Sequence, residues 1–120
     1  MTLPAKRVAY LALAAFLTAL AVYEMARHGG ATWLAVAFVF IPDVALIYGA
    51  GPGLERGQLH PRAVRFYNAL HSFVIPAALV ILGLWLPPVV LAGGLAWGAH
   101  IALDRGLGFG MRTREGFQRQ

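Results

Sequence analysis

Residues 99–110 read AHIALDRGLGFG and place His100 and Asp104 four positions apart, near the end of a stretch that is otherwise lipid-like. On a helix, positions i and i+4 share one face, a turn apart. An imidazole and a carboxylate stacked in this way at membrane depth need a partner, because an ionisable group in hydrocarbon is costly and turns towards protein. Two other apolar stretches offer one: Asp43 in FIPDVALIYG (residues 40–49), and Asn68 with His71 in RFYNALHSFVIP (residues 65–76).

The rest of the composition sets the solvent. Apolar residues make up 59% of the 120 and charged residues 12%, against about 45–50% and about 25% in an ordinary soluble domain. A chain this short has too much surface to hide that much apolar side chain from water, so a single membrane domain over residues 1–120 is expected. Cysteine is absent, which excludes disulfides and thiolate metal sites. The net charge of +5 lies in residues that flank apolar runs. Anionic lipid headgroups are therefore the expected partners, and nucleic acid is not.

Four spans are expected, over about 8–26, 31–48, 66–86 and 89–107, each near the roughly 20 residues that cross a bilayer. Pro87 and Pro88 turn the chain between the last two. A polar loop covers 49–65, and a basic tail, 111–120, is expected to lie at the interface or fray. An even number of spans puts both ends and the loop on one side, with Lys6, Arg7, Arg56, Arg62, Arg65, Arg112, Arg114 and Arg119; the other side holds Arg27 alone. The positive-inside rule then makes the fold an all-α, multi-pass four-helix bundle with cytoplasmic N- and C-termini. A cleaved signal peptide ending at Ala19-Leu20-Ala21 is the competing reading of the first span. The apolar run continues through Val22-Tyr23, which favours an uncleaved span.

Helix rise converts position into depth. From the cytoplasmic face, Asp43 lies about 9 Å in, His71 about 8 Å, His100 about 12 Å and Asp104 about 6 Å. Three helices of alternating direction thus bring all four groups to one layer. Two imidazoles and two carboxylates without sulfur suit zinc, iron or manganese. Asp43, His71, His100 and Asp104 are accordingly the expected metal ligands. Tyr67, Asn68 and Arg105 are the neighbours that would orient them. No separate general base is apparent, so an aspartate that does not bind the metal, Asp43 or Asp104, would have to take the proton in a hydrolytic reaction on a lipid-like substrate, with Arg62 and Arg65 holding a phosphate. Three other readings of the same residues stand open. They are a purely structural hydrogen-bonded layer, a proton or ion pathway in a small oligomeric transporter, and haem held between His71 and His100.

Other features are of lesser weight. Glu24 with Arg27 and His28 reads as a surface ion pair, and His60 as a solvated loop residue. Tyr23, Trp33 and Trp85 match an interfacial aromatic belt. Gly94 and Gly98 have the small-xxx-small spacing of close helix packing or self-association into a homo-oligomer. Pro42 and Pro76 interrupt backbone hydrogen bonding within spans.

Ile41-Pro42-Asp43, Tyr67-Asn68-xx-His71 and Ala99-His100-Ile101-xx-Asp104-Arg105-xx-Gly108-xx-Gly110, with Phe117 behind them, resemble the small bacterial membrane proteins grouped as domain of unknown function 4260. The resemblance runs from about Trp33 to Phe117. It implies four spans in a bacterial inner membrane and marks Asp43, Asn68, His71, His100 and Asp104 as the shared polar set. It implies no activity. Two departures stand out: Gln118-Arg119-Gln120 replace a Thr-His pair that follows the tail phenylalanine in that family, and Lys6-Arg7-Val8 replace an acidic residue near the start of the first span. If that histidine serves the family's site, this chain has given up one ligand or gate.

Overall fold

A computed structural model of the chain describes residues 2–119. Met1 and Gln120, part of the expected domain and (for Gln120) of the tail, lie outside the described residues. The described residues are all-helical and contain no strand, only an isolated bridge between Arg112 and Gln118.

The first helix, Ala5–His28, stops where Gly29 takes φ +60° and Gly30 φ +51°, a left-handed turn that suits glycine. The second, Gly30–Tyr48, is wound unevenly. Gly30–Val39 forms a 3-10 helix, Ile41–Asp43 a further 3-10 turn on Pro42, and Val44–Tyr48 an α-helical turn. A 3-10 helix rises about 2.0 Å per residue, so these 19 residues reach as far as a longer α-helix would.

The third helix, Pro61–Leu82, begins before residue 66 because Pro61 supplies a pre-set first turn and His60 caps it. The His60 Nδ1 accepts from the Arg62 N–H at 3.1 Å, so this histidine is a helix cap and not merely a solvated loop residue. At His71–Phe73 the helix breaks into two segments, Val64–Leu70 and Val74–Leu82. The carbonyls freed there are taken by the fourth helix. Trp97 Nε1 donates to Leu70 O at 2.8 Å, and Arg105 Nη2 to His71 O at 3.2 Å.

The fourth helix, Pro88–Leu107, is the axis of the molecule: it packs on the first helix, the 3-10 part of the second and the later half of the third. It buries 11 of its 20 residues, whereas the first helix buries 3 of 24. This exchange of environments explains the hydropathy pattern. The first three helices are long and apolar enough to cross a membrane; the fourth has the length, and shielded by the others it carries His100, Asp104 and Arg105. Outward-facing Ile47, Val74 and Trp85 are 73–79% exposed, a surface compatible with lipid and unusual against water. Gly94 faces the third helix and Gly98 the first, so the small-residue pair serves packing within the chain.

Up to residue 119 the tail is tied to the bundle. Asn68 clamps the Arg112 backbone from both sides, accepting from its N–H at 2.8 Å and donating to its carbonyl at 3.1 Å. The Leu59 N–H donates to Gly116 O at 2.9 Å. Loop, tail, the start of the first helix and the end of the fourth thus gather at one end of the bundle.

Candidate metal centre

That end holds the four polar residues. Asp43 closes the 3-10 turn after Pro42, His71 stands at the break of the third helix, and His100 and Asp104 share one face of the fourth. The chain brings all four together. His71 Nε2 lies 3.2 Å from Asp43 Oδ1 and 3.4 Å from Asp104 Oδ2, and His100 Nε2 lies 3.2 and 3.3 Å from the same two oxygens. All four ligand atoms fit within 4.8 Å of one another, a group that could hold a metal ion. A tetrahedral ion bonded at about 2.0–2.1 Å sets its ligands about 3.3–3.4 Å apart, the spacing of those four nitrogen–oxygen pairs.

Proton positions sharpen the point. His71 Nδ1 lies 2.9 Å from the carbonyl of Tyr67, and a carbonyl can only accept. The hydrogen therefore sits on Nδ1, and a neutral ring directs the Nε2 lone pair at two carboxylate oxygens, which are acceptors too. A cation among them resolves the conflict, as does a second proton on the ring. His100 favours the first. Its buried Nε2 has no hydrogen-bond partner despite two oxygens within 3.3 Å, because neither lies along its bonding direction.

Burial grades across the group: the side chains of His71 and His100 are 3% and 11% exposed, those of Asp104 and Asp43 24% and 42%. His100 borders an apolar cavity of about 650 Å³ against the first helix, while the polar opening is at the aspartates. There a cavity of about 210 Å³ is lined by Asp43, Leu46, Tyr67, Asp104, Phe109, Arg112 and Gln118. Tyr67 also stacks on the His71 ring at 3.9 Å between centroids, and Arg105 holds the His71 backbone. Asn68 sits away from the imidazole, committed to the tail. Arg62 binds Tyr48 O at 3.0 Å and covers the Tyr48 ring, while Arg65 is exposed; neither lines the cavity.

The cation that does line it is Arg112, over the Tyr67 ring at 4.7 Å and bonded to Gly116 O at 2.8 Å. Spacing along the chain gives no sign of Arg112 or Gln118, since both arrive by long-range folding of the tail. Haem does not fit between the histidines. Their ring centroids are 5.4 Å apart, and the carboxylate oxygens occupy the space a porphyrin plane would need.

The chain belongs to the family described as domain of unknown function (DUF4260), whose model matches residues 8–120 and so takes in all four residues of the centre. No curated protein and no solved structure matches it.

Proposed function

We propose that this chain is an integral protein of the cytoplasmic membrane, with both ends inside, that holds one divalent ion (zinc, iron or manganese) on Asp43, His71, His100 and Asp104. The reading extends to a hydrolase acting on a lipid-like substrate. The observation that carries it is the His100 Nε2: a buried nitrogen without a hydrogen-bond partner, 3.2 and 3.3 Å from two carboxylates that also lie against His71. Two carboxylates and two neutral imidazoles balance a doubly charged cation, offsetting the cost of burying the acids.

An ion held there would supply Lewis acidity, and it could activate water only with a position left open, as when Asp43 is off the ion. The chain's own residues do the rest. Tyr67 holds the His71 ring and Arg105 the His71 carbonyl, and Asp43, the most exposed of the four, borders the cavity from which a substrate would approach. When it does not bind the ion, Asp43 is also the group placed to accept a proton there. Arg112 faces the same space and suits an anionic group on the substrate.

Elemental analysis of detergent-purified protein tests the metal. About one ion per chain is expected in the wild type and none in His100→Ala; a folded, metal-free wild type contradicts it. Loss of ester hydrolysis on chelation would support the hydrolase. A second reading, proton- or ion-coupled transport, draws on the unbroken contacts from Asp43 through the histidines to Asp104. It requires that Asp43→Asn abolish flux in proteoliposomes while the protein stays folded.

A further inference from the structure

At the same end of the bundle, on the side facing the first helix, a second cavity of about 420 Å³ is lined by Lys6, Arg7, Arg105 and Arg119, with Tyr10 among them and no acidic side chain. Four of the chain's 10 lysines and arginines thus share one hollow. The fold builds it deliberately. Arg7 Nε is anchored to Gly106 O at 2.9 Å, Arg105 to His71 O at 3.2 Å, and the Arg119 N–H to Met111 O at 3.1 Å, which brings the tail round to the start of the first helix. The first turn of that 24-residue helix carries no acidic residue, so its dipole adds to the positive field. Like charges held this close repel unless an anion lies among them.

An apolar groove begins beside it. A cavity of about 400 Å³ between the first, third and fourth helices is lined by Leu13, Leu17, Phe73, Pro76 and Val80 among others. Phe73 stacks on Tyr10 with ring centroids 6.3 Å apart and planes within 4°, and the Arg105 guanidinium lies 5.6 Å from the Phe73 ring and 6.0 Å from that of Tyr10. The stacked pair is the seam between cationic hollow and apolar groove. From Tyr10 to Leu17 the groove follows the first helix for about 10 Å.

We infer that this is a binding site for one anionic phospholipid, its phosphate among Lys6, Arg7, Arg105 and Arg119 and an acyl chain along Leu13, Leu17 and Val80. The site is separate from the His/Asp centre and does not rest on its holding a metal. Free phosphate shares the headgroup chemistry but would leave the groove unused.

The test uses the full chain in nanodiscs of phosphatidylcholine containing a minor fraction of phosphatidylglycerol, with retained lipid counted by native mass spectrometry. The wild type is expected to retain phosphatidylglycerol selectively. Lys6→Gln with Arg119→Gln, both exposed, should lower that selectivity roughly thirtyfold, at about fivefold per charge. Arg56→Gln with Arg114→Gln, exposed residues that do not line the hollow, should leave it unchanged. Equal loss in both double variants would mean unspecific surface charge and overturn the site, as would undiminished retention in the first. Displacement of the lipid by millimolar inorganic phosphate would overturn the lipid assignment. If the first double variant does not fold, Lys6→Gln alone decides, with about a fivefold fall expected.

Discussion

His71 is held from three directions. Its Nδ1–H donates to Tyr67 O, its ring lies under the Tyr67 ring, and its carbonyl takes the Arg105 guanidinium. The tyrosine contact was legible, because a helix always presents position i−4 to position i. The partner of Asn68 is hidden for the opposite reason: its amide pairs with the Arg112 backbone, 44 positions away, and local spacing cannot show that. Arg105→Lys keeps the charge but gives up the planar fork that reaches the His71 carbonyl. Metal affinity in this variant is expected to fall about 10–100-fold, the usual cost of losing a partner that orients a ligand. Competition with a chelator of known affinity reads it, and an unchanged affinity would show that Arg105 does not position His71.

Among the elements, the fourth helix decides the packing. A Cβ at position 94 would come within 2.9 Å of Leu79 Cβ and of the Val80 backbone nitrogen, neither of which can swing aside. At position 98 the nearest atom is Leu17 Cδ1 at 3.2 Å, the mobile end of a side chain. Gly94→Ala should therefore destabilise the bundle by about 1–3 kcal/mol and Gly98→Ala by clearly less, in thermal unfolding in detergent. Equal effects would contradict the described approach of the third and fourth helices. The glycine spacing was visible in the sequence, though not which neighbour each glycine admits.

The tail was illegible as an element, since its order comes from backbone pairing with the loop and Asn68. Asn68→Ala removes two hydrogen bonds of about 1 kcal/mol each. Amide exchange across residues 111–118 should then accelerate roughly thirtyfold; no change would mean that other contacts hold the tail.

At the scale of the whole molecule, the four-helix architecture could be read because 59% apolar residues interrupted by glycine, proline and charge leave few alternatives to apolar helices. Asp43, His71, His100 and Asp104 lie together, as their distances from the helix ends implied. The short segments from each residue to the near end of its helix are largely α-helical, and three helices of alternating direction share one frame. The long 3-10 stretch lay beyond reach, as hydrophobic residues alone do not distinguish it from α-helix.

The proposed orientation is directly testable because the chain has no cysteine of its own. In intact spheroplasts, a membrane-impermeant thiol reagent should label Arg27→Cys and leave Arg56→Cys unlabelled; the reverse would invert the topology. The centre itself is best tested by X-ray absorption at the edge of whatever metal copurifies. Two imidazole nitrogens and carboxylate oxygens at about 2.0–2.2 Å, with the imidazole signal reduced in His71→Ala, are the predicted result. A shell of oxygens without imidazole, or no metal at all, would contradict it.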